Sequence, residues 1–114
     1  MTFGERVREL RKEKGMTLRD LALKVGVGFT YLSRVENSRL NYGDLPSEAL
    51  IHRLADILHA DEDELLILAE KIPERIRQRV FERPDVFRIL AELSDIELER
   101  LIGTVDSARK KRTR

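Results

Sequence analysis

The sequence predicts an all-α fold, with five helices forming an N-terminal domain and further helices forming a C-terminal extension. Apolar residues recur at helical spacing along most of the chain. No segment of useful length alternates apolar and polar residues, and no glycine turn joins β-branched runs. Helix-start signals also recur, each a Ser, Thr or Asp followed three residues later by an acid: Thr2/Glu5, Thr17/Asp20, Asp61/Glu64 and Ser94/Glu97.

The first three predicted helices are short. Glycines end the first two, at Gly15 and Gly26, and the third spans about residues 28–37 before the polar loop SRLNYGDLP at 38–46. Their predicted inward faces carry Phe3, Val7 and Leu10, then Leu18, Leu21, Ala22 and Val25, then Leu32 and Val35.

Ser47 can cap the fourth helix, and the fifth begins at Asp61. Their apolar faces carry Leu50, Ile51, Leu54, Ala55 and Leu58, then Leu65, Leu66, Leu68 and Ala69. Beyond Ile72 the composition shifts, and we expect three more helices at 72–82, 85–92 and 94–110, with Pro73 at a helix start and Pro84 as a break. The chain therefore divides into a domain at 3–70, a helical extension at 71–108 and a basic tail at 109–114.

Composition excludes several classes of protein. The 114 residues leave room for one compact domain or a small domain with an appended subdomain. Because the chain has no Cys, disulfides and cysteine-bound metals are excluded, and a reducing compartment is permitted. No signal-peptide pattern precedes the first helix and no run is long enough to cross a bilayer, so we expect a cytoplasmic protein that is not a membrane protein.

Charge is distributed unevenly although the whole chain carries only +1. Residues 1–40 hold nine basic and five acidic side chains, residues 61–106 are acid-rich, and the terminal RKKRTR adds five cations. This distribution suits a protein that turns one face towards a polyanion.

Residues 16–37, MTLRDLALKVGVGFTYLSRVEN, have the features of a helix-turn-helix, with the motif itself at about 17–36. Ala22 is small where two helices cross closely, Gly26 suits a turn that needs positive φ, and Val27 fills the corner. This segment and its flanking helices, about residues 3–68, resemble the Cro/C1-type (XRE) family of transcriptional regulators, whose DNA-binding domain is λ-repressor-like. The resemblance is carried by Thr17, Leu21, Ala22, Gly26, Val27, Tyr31, Ser33, Glu36 and Asn37.

The resemblance implies that the helix at 28–37 enters the major groove of DNA. The positions that face bases in this family are occupied here by Phe29, Thr30 and Arg34, with Ser33 at the margin. Arg34 can read guanine and Phe29 can pack on a thymine methyl group. The implied phosphate contacts are Thr17, Arg19, Asn37 and Arg39, and the implied structural ion pair is Arg11 with Glu36.

Three positions depart from the family pattern. Leu18 stands where Gln often helps to hold a phosphate, and a Leu side chain cannot donate a hydrogen bond. Gly28 stands where Ser or Thr often caps the recognition helix, and Ser38 replaces a frequent Gly. Specificity should therefore depend mainly on the three base-facing residues.

Simpler interpretations stand beside these. Phe29 can tuck under the loop, and Arg34 can be a solvated cation. His52 and His59 lack a third metal ligand, the acidic run at 61–64 is explained as a helix cap, and no catalytic constellation can be assembled. We therefore expect no enzyme activity, no metal and no cofactor.

The C-terminal helices carry the apolar residues Phe87, Leu90, Leu93, Leu98, Leu101, Ile102 and Val105. These can pack on the N-terminal domain, pair with a second protomer or bind a regulatory protein. We favour a homodimer that represses transcription from a double-stranded DNA operator, since two half-sites increase affinity and specificity. The alternative is an antitoxin-like or adaptor protein whose C-terminal helices bind a partner protein.

Overall fold

The structure, a computed structural model, describes residues 1–39 and 46–112. All regular secondary structure in these ranges is helical, so the predicted all-α fold is confirmed there. Most of the loop expected at 38–46 lies outside the described residues. None of the described helices combines the length and the apolar character that crossing a membrane requires.

The described chain forms two compact units, Met1–Pro73 and Glu74–Arg114. The boundary lies three residues beyond the end that the sequence suggested for the first domain. The first unit contains helices α1 (Phe3–Glu13), α2 (Leu18–Val25), α3 (Phe29–Glu36), α4 (Glu48–Leu58) and α5 (Glu62–Leu68). These helices lie where the sequence predicted them, within one or two residues at each end.

The core of the first unit is aliphatic, apart from one aromatic ring at its edge, and all five helices contribute to it. Its buried apolar residues are Phe3, Val7, Leu10, Leu21, Ala22, Val25, Leu32, Val35, Leu50, Ile51, Leu54, Ala55, Leu58, Leu65 and Leu66. Burying these side chains is the main driving force for folding of the unit, and it fixes the two helices of the predicted DNA-binding motif against α1 and α4.

The second unit contains α6 (Glu74–Glu82), α7 (Pro84–Glu92) and α8 (Asp95–Arg112). Pro84 is the first residue of α7, a position where its missing N–H costs no helical hydrogen bond. Since α8 runs to Arg112, four residues of the expected basic tail are helical, and their cations suit a helix C-terminus. No residue of α6, α7 or α8 is buried.

Three of the four predicted reciprocal caps are present, at Thr2/Glu5, Thr17/Asp20 and Ser94/Glu97. At α5 the prediction is only half right. The Asp61 side chain accepts from the N–H groups of Asp63 and Glu64, but the Glu64 carboxylate accepts from Arg6 Nε at 2.6 Å instead of closing the cap. This contact joins α5 to α1, and it raises the pKa of the Arg6 guanidinium.

Candidate nucleic-acid interface

The leading edge of α3 is exposed. Phe29 and Thr30, in its first turn, and Arg34, one turn further along, are all accessible, and Ser33 is half-buried. Phe29 retains 42% of its surface, which is high for an aromatic side chain beside a packed core. The opposite face of α3 buries Leu32 and Val35 in the core, so the predicted base-facing residues share the side of the helix that faces solvent.

The N-terminus of α2 is the predicted phosphate site. Thr17 caps the helix by accepting from the Asp20 N–H at 3.1 Å, and the Asp20 carboxylate accepts from the Thr17 N–H at 3.1 Å. The hydrogen bond from the Thr17 N–H is the main cause that lowers the pKa of the Asp20 carboxyl. Two of the first N–H groups are therefore occupied, while those of Leu18 and Arg19 have no partner within a helix because they lie in the first turn.

Arg19 is the second residue of α2, and its side chain reaches Phe29, the first residue of α3. Its guanidinium carbon is 4.7 Å from the centroid of the Phe29 ring. The sequence had assigned these residues to separate phosphate and base contacts, but the structure brings them together. Sequence register placed both residues near the DNA-facing side, but it does not give the direction of a long side chain.

Just beyond the C-terminus of α3, one residue has the left-handed backbone conformation. Ser38 has φ +55°, its N–H donates to Val35 at 3.2 Å, and the Arg39 N–H donates to the Arg34 carbonyl at 2.9 Å. Glycine is preferred at such a position, which explains why the family pattern often has one there. The Asn37 amide donates to the Ser33 carbonyl at 2.8 Å, and its nitrogen is also 3.5 Å from the Ser33 hydroxyl oxygen, so in this structure the side chain is hydrogen-bonded to its own helix.

A buried ion pair ties α1 to α3. Arg11 Nε donates to Glu36 Oε2 at 2.8 Å and its Nη2 donates to Oε1 at 2.9 Å, while Nη1 donates to the Met16 carbonyl at 2.8 Å. The two side chains are only 11% and 4% exposed. The hydrogen bonds to Glu36 raise the pKa of Arg11, which therefore remains a cation. This is the arrangement that the resemblance implied for these two residues, and it fixes the far end of α3.

The site thus combines an exposed edge of α3, a nearby helix N-terminus and a rigid attachment to the core. A sequence model of the helix-turn-helix domain family matches residues 2–66, more than half of the chain. The chain belongs to the helix-turn-helix domain family. Among the described residues, no cluster of His, Cys, Asp or Glu could hold a metal ion in this helix-turn-helix protein.

Similar proteins support the Cro/C1-type resemblance. The helix-turn-helix transcriptional repressor RghR of Bacillus subtilis (strain 168) is 36% identical over 73 residues, which are 64% of this chain and 52% of RghR. This helix-turn-helix chain therefore spans about half the length of that curated relative.

Two solved structures show the same fold. The crystal structure of the biofilm master regulator SinR in complex with DNA is 34% identical, with a TM-score of 0.51, and the match covers 57% of this chain and 98% of that chain. A SinR/SinI protein complex has a TM-score of 0.53 at 23% identity, covering 99% of this chain and 100% of that chain, and this likeness concerns the fold alone.

Proposed function

We propose that this chain is a sequence-specific transcriptional regulator that binds double-stranded DNA as a homodimer and represses transcription. The observation that carries the proposal is the exposed edge of α3, where Phe29, Thr30 and Arg34 project from a helix whose other side is fixed in the core. An α-helix fits the major groove, where side chains can distinguish base pairs. The chain acts as a binding protein and not as an enzyme, and its expected place of action is the cytoplasm.

Each contact follows from chemistry and position. Arg34 donates two hydrogen bonds to a guanine, while Thr30 and Ser33 contact neighbouring base edges. Thr17, Arg19, Asn37 and Arg39 bind phosphates on either side of the groove, and these contacts set the register of α3. The Asp20 carboxylate opposes phosphate binding at the α2 N-terminus, so the cations must supply most of the attraction there.

The names of relatives support this function. RghR is called a transcriptional repressor, and SinR has been crystallised with DNA. The family model matches residues 2–66, which contain α1 to α4 and most of α5, and DNA binding is assigned to this part of the chain.

The second unit supplies the dimer contact in this proposal. Leu98, Leu101, Ile102 and Val105 recur at the spacing of one helix face, and the last three are exposed. A homodimer would cover this face and place two copies of α3 on half-sites about 34 Å apart. The same exposed face also favours the second candidate function, an adaptor whose second unit binds a regulatory protein.

The proposed function is tested by selecting bound sites from random duplexes and comparing two arginine variants on the selected site. Arg34→Ala should cost about 1–3 kcal/mol of binding free energy and relax the preference at one base pair. Arg39→Ala should weaken binding to all sequences equally and lower the dependence of affinity on salt, because it removes one phosphate contact. Failure to enrich any sequence, or an equal loss on selected and random duplexes for both variants, would contradict the proposal.

The adaptor candidate makes a different prediction. If it is correct, residues 1–73 should bind DNA weakly even at low salt, while residues 74–114 should form a stable complex with another protein. Strong, salt-dependent retention of residues 1–73 on DNA, with no heterologous partner for the second unit, would instead favour the regulator.

A further inference from the structure

An apolar cleft opens beside the first residue of α3. It has a volume of about 210 Å³ and is lined by Arg19, Ala22, Leu23, Val27 and Phe29. Leu23 is 82% exposed, so the cleft has an apolar rim on its α2 side as well as the Phe29 ring on its α3 side. Four of the five lining residues are apolar, and the fifth is a cation that lies over the ring.

Arg19 can hold Phe29 and bind a phosphate at the same time. A guanidinium that lies over an aromatic ring uses its face for that contact, and its N–H donors project from its edges. No described carboxylate forms an ion pair with Arg19, so these donors are not engaged by an acid from residues 1–39 or 46–112. The same side chain can therefore link the DNA backbone to the ring.

The residue before Phe29 adds no side chain to the surroundings of the ring. Gly28, the preceding residue, has no side chain, and a Cβ built there would meet no atom within 4 Å. Phe29 is also the first residue of α3, so its side chain has no preceding turn of the same helix to pack against. The Arg19 guanidinium is thus the one polar group among the residues that line the cleft beside the ring, and it lies over the ring.

We infer that Arg19 is a positioning residue for Phe29, and that the two side chains together recognise the 5-methyl group of a pyrimidine. In unmodified DNA this pyrimidine is thymine. This inference rests on the proposed DNA-binding function and assigns it one specificity determinant. The methyl group of thymine is the apolar group that the major groove presents, and the Phe29 ring beside the cleft is an apolar surface that can cover it. Arg19 holds the ring against that methyl group while its edge donates to the adjacent phosphate.

The test uses the full chain and the duplex enriched by selection. Each thymine of the site is replaced in turn by deoxyuridine, which keeps every hydrogen-bonding group and removes only the methyl group. The wild-type chain should bind about fourfold more weakly when one particular thymine is replaced, the factor expected for one buried methyl group. Phe29→Ala and Arg19→Ala should each abolish this preference, and the double variant should show no preference either. Arg19→Ala should in addition weaken binding to both duplexes, because its phosphate contact is lost.

Lys24→Ala is the matched control, because it removes another exposed cation of α2 outside the cleft. It should lower affinity for both duplexes and leave the preference for thymine intact. If Arg19→Ala weakens both duplexes but keeps the wild-type preference, Arg19 is only a phosphate contact and the inference is wrong. Enrichment of a site with no deoxyuridine effect at any position would also overturn the inference alone, whereas no enrichment would overturn the proposed function and the inference with it.

Discussion

The Glu36 carboxylate shows how a charge can be accommodated inside a small helical domain. It is 4% exposed, and two N–H groups of Arg11 satisfy both of its oxygens. Arg11 uses a third N–H on the Met16 carbonyl, so the pair also fixes the chain between α1 and α2. A buried pair of this kind adds little net stability compared with apolar residues, but breaking it leaves an unpaired charge that is costly.

Removing Arg11 alone should therefore be worse than removing both partners. Arg11→Met leaves the Glu36 carboxylate buried and unpaired, and we expect the free energy of unfolding to fall by about 3–5 kcal/mol. Arg11→Met combined with Glu36→Met should recover most of that loss, because no buried charge remains. Urea unfolding of the wild type, Arg11→Met, Glu36→Met and the double variant, followed by circular dichroism, measures the coupling between the two side chains. Additive losses of unfolding free energy would contradict the expected coupling.

The capping carboxylate of Asp20 should make stability depend on pH. The N–H of Thr17 is the main cause that lowers the pKa of Asp20 below its ordinary value of 3.8. A carboxylate with a lowered folded pKa stabilises the protein above its unfolded pKa, and this stabilisation is lost as the pH falls through the folded pKa. Thermal unfolding of wild type and Asp20→Asn should therefore differ most near neutral pH and converge in acid. A difference that stays constant across the series would show that the charge has no part in the cap.

Gly4 permits α1 and α3 to approach each other closely. A Cβ built on Gly4 would lie 2.1 Å from the Val35 carbonyl oxygen and 2.8 Å from that of Glu36. Both obstructing atoms are backbone, so they cannot move aside as a flexible side chain can. The end of α3 is thus positioned by a glycine as well as by the buried ion pair.

Gly4→Ala should displace α1 from α3 and cost about 1–3 kcal/mol or more, the range for overpacking a core. Gly103→Ala is the control, since it makes the same change inside α8 where no atom lies within 4 Å. There alanine should stabilise the helix by about 0.5–1 kcal/mol through its higher helix propensity. Urea unfolding curves of both variants test the contrast, and a Gly4→Ala protein as stable as wild type would disprove the close approach.

The sequence predicted elements well because their signals are local. Thr2 and Glu5, or Thr17 and Asp20, are three residues apart, so the cap can be found without knowing the rest of the fold. The Arg6–Glu64 contact spans 58 positions, and it diverts Glu64 from the cap that its spacing suggested. Such contacts depend on how helices pack, and for the same reason the sequence could not show that Arg19 covers Phe29.

The two units differ in how they bury apolar surface. The first unit has a core from all five of its helices, whereas α6, α7 and α8 bury no residue. Exposed apolar residues in the second unit include Phe81, Ile89, Ile96, Leu101, Ile102 and Val105. Clustered exposed apolar residues mark interaction sites, so the second unit is where association should be tested.

Ile102→Glu places a charge on the proposed dimer face, at a side chain that is 59% exposed and therefore outside any core. We expect the variant to sediment as a monomer and to bind a duplex with two half-sites about 100-fold more weakly, since the linked second half-site contact is lost. Its affinity for a single half-site should be unchanged, because α3 is untouched. Ser107→Glu, which adds the same charge to α8 away from the face formed by Leu98, Leu101, Ile102 and Val105, should leave both affinities near wild type. An Ile102→Glu protein that still associates and still prefers the double site would place the dimer contact elsewhere in the chain.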